Sequence, residues 1–91
     1  MSLTSKQRKA LKAQAHHLNP VIRVGQNGIS DGVIQETNIA LDTHELIKVQ
    51  VQQGDREARL KDGALLAEKT DAELVHHIGK IIILYRRKEE K

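Results

Sequence analysis

Gly25 and Gly28, with Gln26 and Asn27 between them, are the residues whose types and spacing come nearest to a binding chemistry. Removing two side chains lets a loop backbone approach a phosphate chain closely, and amides at a following helix N-terminus can point towards it. KH modules clamp single-stranded RNA with a loop of this kind. The pair is weak by itself, since a chain of this length expects on the order of 0.4 such matches by chance. A tight left-handed turn between a strand and a helix would ask for the same glycines. The setting adds weight: Lys6, Lys9 and Lys12, with Arg8 at their margin and His16 one turn further on, are spaced to form a basic helix face earlier in the chain.

Other constellations lead less far. His16-His17 and His76-His77 offer imidazoles for zinc or nickel, but adjacent side chains point apart in a strand and diverge on a helix, and no Cys completes a tetrahedral set. No metal or other cofactor is expected. Asp31, Glu36, Asp55 and Glu57 could serve a metal-dependent nuclease. They lack catalytic spacing, however, and read better as helix starts and solvated faces, so the chain is expected not to be an enzyme. Zero Cys also removes disulfides and thiol catalysis. The alternative to a nucleic acid is an acidic protein partner on which the basic helix docks.

The elements that position these residues must come from one domain's worth of chain. With 91 residues, a single compact unit over residues 1–87 and a short charged tail over 88–91 are expected. A hydrophobic fraction of 38% beside 30% charged residues fits a folded, well-solvated protein. Tyr85 is the only aromatic residue besides histidine, so the core must be aliphatic, and no platform exists for stacking bases as an RRM sheet does. The start, Met1-Ser2-Leu3-Thr4-Ser5-Lys6, runs into charged residues without the apolar stretch of a secretion signal or membrane span. A cytoplasmic location with no membrane partner is the expectation. Residues 1–30 hold five bases and no acid, 31–79 hold ten acids against five bases, and 80–91 hold five bases against two acids. If folding joins the basic ends, a net charge of only +3 conceals a one-sided positive field.

Periodicity supplies the elements. A helix is predicted from Thr4 or Ser5 to about Leu18, with Leu11, Ala15 and Leu18 as its apolar stripe, stopped by Asn19-Pro20. Val21 to Val24 reads as a strand. Ser30 caps a second helix to about Thr43 with Val33, Ile34, Thr37, Ala40 and Leu41 on one face. Glu45 to Gln52 alternates as a half-buried strand. A third helix over Asp55 to about Lys69, with Ala58, Leu65 and Ala67 among its apolar positions, contains Gly63, which costs about 1 kcal/mol against Ala. Ala72 to Ile78 and Ile81 to Arg86 form a hairpin about Gly79-Lys80. Ile81-Ile82-Ile83-Leu84 does not alternate, so this strand should be covered on both faces, the second by the first helix. The fold class is α/β in two to three layers, in the order α-β-α-β-α-β-β, with a mixed four-stranded sheet.

These residues closely resemble the YhbY type of CRM domain, named for chloroplast RNA splicing and ribosome maturation. The resemblance runs through Leu3-Thr4-Ser5-Lys6-Gln7-Arg8, Ala13-Gln14-Ala15-His16-His17-Leu18, Val24-Gly25-x-x-Gly28 and His44-Glu45-Leu46-Ile47-Lys48-Val49. It continues in Ala67-Glu68-x-Thr70, Ile78-Gly79-Lys80 and Leu84-Tyr85-Arg86-Arg87. It implies a fold similar to the C-terminal domain of bacterial translation initiation factor three, with the glycine loop and nearby basic residues as the RNA surface. It also implies, for a short single copy, a factor associated with precursors of the large ribosomal subunit. Gln26 departs from the lysine common after the first glycine and removes one potential phosphate contact. The RNA contacts expected on this basis are Lys6, Arg8, Lys9, Lys12, His16, Gly25, Gln26, Asn27, Gly28, Lys80, Arg86 and Arg87. Recognition should rest on shape and backbone, by a monomer with no small-molecule substrate.

Overall fold

In a computed structural model that describes residues 3–52 and 54–87, the chain forms three helices and four strands in the expected order. They are α1 (Ser5–Ala15), β1 (Pro20–Val24), α2 (Asp31–His44), β2 (Leu46–Val51), α3 (Arg56–Lys69), β3 (Glu73–Ile78) and β4 (Ile81–Tyr85). The expected tail at 88–91 lies outside the described residues.

Each helix begins where a side chain can take up its first free amides. Thr4 Oγ1 accepts from Gln7 N at 3.1 Å while Gln7 Oε1 accepts from Thr4 N at 2.9 Å, a reciprocal capping box. Ser30 and Asp55 cap α2 and α3 through the backbone amides of Val33 and Ala58. Helix α1 ends earlier than its stripe suggests: His16 caps it, and Leu18 lies beyond the helix and is exposed. The chain needs those residues to turn towards Pro20.

The sheet order is β1-β2-β4-β3, with β1 parallel to β2 and the remaining pairs antiparallel. Alternation along the strands creates two cores. Ile22, Val24, Ile47, Val49, Val51, Ile82 and Leu84 meet Leu41 of α2 and Leu66 and Ala67 of α3. On the opposite face Val75 and Ile83 meet Ala15, with Leu11, Leu46, Ile81 and Tyr85 around them. Helix α1 therefore covers the second side of β4, as the unbroken apolar run requires. Each fully buried Ile, Leu or Val contributes about 1.5–3 kcal/mol to holding the layers together.

Of the apolar positions in α3, Ala67 is buried but Leu65 is not. Leu66 is buried and Leu65 is 40% exposed. Gly63 is buried against β4, where a Cβ would overlap Ile82 Cδ1. What reads in the sequence as a helix-weakening residue is the close-approach point between α3 and the sheet.

Candidate functional site

The segment Gly25–Gly28 joins β1 to α2 at one end of the sheet. Gly28 N donates to Gly25 O at 3.1 Å, which closes a turn, and Ser30 N donates to Gly28 O at 3.1 Å. Gly28 has φ +67, so its glycine is demanded by the backbone. Gly25 is different: its φ is not positive, and a Cβ there would meet nothing within 4 Å. Folding does not require glycine at 25. Gly25, Gln26 and Asn27 are exposed. The N-terminus of α2 behind them is already capped by Ser30, and Asp31 places a carboxylate in its first turn. An anion gains little from that helix end, contrary to the simple picture of amides pointing at phosphate.

Two other turns meet the same end of the sheet. Gln52 N donates to Val24 O at 3.1 Å and Val51 N to Lys80 O at 2.8 Å. Arg59 ties two of these turns together, donating from Nε to Gly79 O at 3.1 Å and from a terminal nitrogen to Gly54 O at 2.7 Å. The exposed Lys80 is thereby held at the glycine-loop end.

Helix α1 presents Lys6, Lys9, Lys12 and His16 to solvent. Beyond the packing of Leu11 and Ala15, it meets the strands through polar groups as well. Lys48 Nζ of β2 donates to His16 O at 3.4 Å, and Lys12 lies close enough to β3 to act on His76. The His76 imidazole is held below its ordinary pKa by burial first, then by the positive charge of Lys12 and by His77. His16 and His17 stack edge to face, with ring centroids 5.5 Å apart.

Three expected contacts are placed differently. Arg8 reaches the edge strand and donates from one terminal nitrogen to Leu74 O and, at 3.2 Å, to Val75 O, where the β3 register is interrupted. It ties α1 to the bulge in β3. Arg86 lies at the opposite end of β4 from Lys80 and donates to Asn38 Oδ1, Asn38 O, Thr70 O and Asp42 Oδ1 at 2.7–3.1 Å. Its guanidinium joins α2 to the end of α3 and has little left for an external ligand. Arg87 follows it, exposed, at that far end. The cations at the end of the chain are thus split, with Lys80 beside the loop and Arg86 and Arg87 remote from it.

Three residues that sequence reasoning left out occupy the face shared with α1. Arg23 is paired with Gln50 across β1 and β2, and Lys48 with Ile83 across β2 and β4. The signal was available: Ile22, Val24, Ile47, Val49 and Val51 point to the α2 and α3 side, so Arg23, Lys48 and Gln50 must point to the other.

The arrangement can neutralise phosphates. No group of three His, Cys, Asp or Glu side chains capable of holding a metal occurs among the described residues. No described helix is long and apolar enough to cross a membrane. A cleft at the far end of the sheet, lined by Leu18, Val21, Leu46, Ile47, Gln14, Asn19 and His44, contains one titratable side chain and no pair for acid–base work.

Comparison with known proteins decides the family. The model of the CRS1 / YhbY (CRM) domain matches residues 3–86. The chain belongs to this family. Among similar proteins, an "RNA-binding protein" of Haemophilus influenzae is 46% identical over 98% of this chain and 90% of its own length. The "Probable RNA-binding protein YqeI" of Bacillus subtilis is 39% identical over 97% of this chain and 92% of its own. A solution structure of an RNA-binding candidate from Staphylococcus aureus superposes with a TM-score of 0.87 at 36% identity, covering 98% of this chain and 93% of that one. The three-layer architecture is therefore that of a solved relative.

Proposed function

We propose that this CRM domain binds RNA without catalysing a reaction on it, and that its target is precursor RNA of the large ribosomal subunit during assembly in the cytoplasm. The observation that carries the reading is the acid-free α1, whose Lys6, Lys9 and Lys12 are all exposed on the sheet face that also presents Lys48 and Arg23. The names of the relatives support RNA as the ligand. The ribosomal target rests on the resemblance to the YhbY type of CRM domain. Helix cations and Lys80 would hold phosphates, and the Gly25–Gly28 backbone would approach the chain closely at the exposed Gly25. The domain would act as a monomer.

Lys9→Glu with Lys12→Glu is expected to weaken RNA binding at least tenfold while thermal unfolding changes little, because both side chains are exposed. For about five engaged phosphates, log affinity should fall against log salt with a slope of roughly −3.5 on single strands. Undiminished affinity in the double variant would move the site elsewhere. Crosslinking in cells tests the target: enrichment of large-subunit precursor RNA supports it, whereas scattered messenger RNA removes the ribosomal role. Retention of the protein in ribosomal fractions after nuclease digestion would favour an acidic protein partner instead.

A further inference from the structure

Helix α1 does not cover the whole of its sheet face. Along the end nearest the glycine loop, the strand pairings Arg23↔Gln50, Gln50↔Ile81 and Ile81↔Ile78 line up one residue from each strand. All four share the α1 face, because their neighbours Val24, Val51, Val49 and Ile82 belong to the core on the other side. Neighbouring strands lie about 4.8 Å apart, so this row is about 14 Å across, room for a few nucleotides. The next row inward, Lys48, Ile83 and His76, is where α1 begins to cover the sheet, with Lys12 and His16 above it.

The row is chemically unlike the rest of the sheet. Arg23 is exposed and Gln50 half-buried, and among the described residues neither side chain makes a hydrogen bond or ion pair. Ile78 is 61% exposed beside the partly covered Ile81. Neither this row nor the Lys48 row contains a carboxylate; on this face of β3, Glu73 lies at the far end, opposite Tyr85. Lys48, Lys12 and Lys80 border the strip. A bare cation, an unpaired amide and an apolar patch, in that order, match the three parts of an unstacked nucleotide chain: phosphate, base edge and base face.

We propose that this strip is a binding site for single-stranded RNA, continuous with the Gly25–Gly28 loop, in which the loop and Arg23 hold the backbone while a base lies over Ile78 and Ile81 with its edge against Gln50. The inference rests on the RNA-binding reading and goes beyond it in two respects: it selects single strands over duplex, and it makes Gln50 a source of base preference. A guanidinium plane can also stack a base, so Arg23 serves the strip where an aromatic residue is missing.

The test compares fluorescently labelled 12-nucleotide single strands of each base composition with a 12-base-pair RNA duplex, using the full chain. Arg23→Gln with Gln50→Ala is expected to lower single-strand affinity on the order of tenfold and duplex affinity only about two- to threefold, the share that loss of one phosphate-facing cation explains; equal losses on both would overturn the strip. Gln50→Ala alone should flatten the differences among the four compositions. Lys9→Glu with Lys12→Glu should weaken every RNA. If the strip variants bind single strands as the parent does while the helix variant fails, the strip is overturned and RNA binding stands. If the parent binds none of these RNAs, both readings fail. A titration of the unaltered protein followed by NMR guards against misfolded variants: amide shifts at Arg23, Gln50, Ile78 and Ile81 support the strip, and shifts confined to α1 overturn it.

Discussion

Replacing Arg86 separates a contact that holds the fold from one that holds RNA. Its guanidinium makes four hydrogen bonds, to Asn38 Oδ1, Thr70 O and Asp42 Oδ1 at 2.7 Å and to Asn38 O at 3.1 Å. The Asp42 side chain is 76% exposed, so water screens that pair and it adds little. The bonds to Asn38 and Thr70 are partly buried, and Thr70 itself is 2% exposed. Hydrogen bonds from a charged donor are worth about 1.5–3 kcal/mol each when water is excluded, and stranded acceptors add desolvation cost. After discounting for partial exposure, Arg86→Ala should cost about 3 kcal/mol. That lowers Tm by roughly 12–20 °C in a domain of this size. Arg86→Lys should recover less than half of the loss, because one ammonium cannot span acceptors on two helices as a planar fork does. Thermal and urea unfolding measure this, and RNA binding measured well below the transition should be unchanged within twofold. A Tm within about 3 °C of the parent, together with a tenfold loss of RNA affinity, would refute the reasoning and return Arg86 to the RNA surface.

Three further outcomes follow from particular residues. Gly25→Ala should leave stability within about 0.5 kcal/mol yet reduce RNA affinity several-fold, whereas Gly28→Ala should cost about 1 kcal/mol through its positive φ; equal unfolding curves for the two would contradict the turn geometry. Gly63→Ala should destabilise by about 1 kcal/mol net, since overlap with Ile82 outweighs the gain in helix propensity, and Ile82→Val, which removes Cδ1, should relieve the clash. His76 is harder to protonate in the fold than in the unfolded chain. Its contribution to stability is therefore present above the unfolded pKa of about 6.5 and is lost as pH falls below it. His76→Gln should flatten the decline in urea midpoint between pH 7 and 5, and an unaltered slope would show that this group does not set it.

Periodic features were legible in the sequence because they depend on neighbours a few residues apart. Ser30 and Asp55 announce helix starts, Ile47, Val49 and Val51 announce a strand, and the unbroken run from Ile81 to Leu84 announces a helix on the far face. The exposed lysines of α1 follow from the same period. What was not legible depends on residues far apart in the chain. Arg8 and Arg86 look like surface cations until Val75, 67 positions away, and Asn38, 48 positions away, are brought against them. Leu65 and Leu66 are indistinguishable in composition, and only the close approach at Gly63 decides which one turns inward. Arg23 and Gln50 become neighbours only through the parallel register of β1 and β2.

The distribution of charge between layers sets the direction from which a polyanion can approach. Helix α1 carries Lys6, Arg8, Lys9 and Lys12 with no acid, while α2, on the opposite face, carries Asp31, Glu36 and Asp42 with no Lys or Arg; α3 is nearly balanced. The modest net charge of +3 thus resolves into a field with a positive side, which orients an incoming phosphate chain before contact. Asp31 sharpens the effect locally. It stands three residues after Gly28, in the first turn of α2, and opposes any phosphate arriving along that helix axis. A chain reaching the glycine loop is favoured only from the α1 side, past Lys80 or across Arg23. On the proposed reading the loop and the sheet strip would be two parts of one approach path, which the acids of α2 would make one-sided.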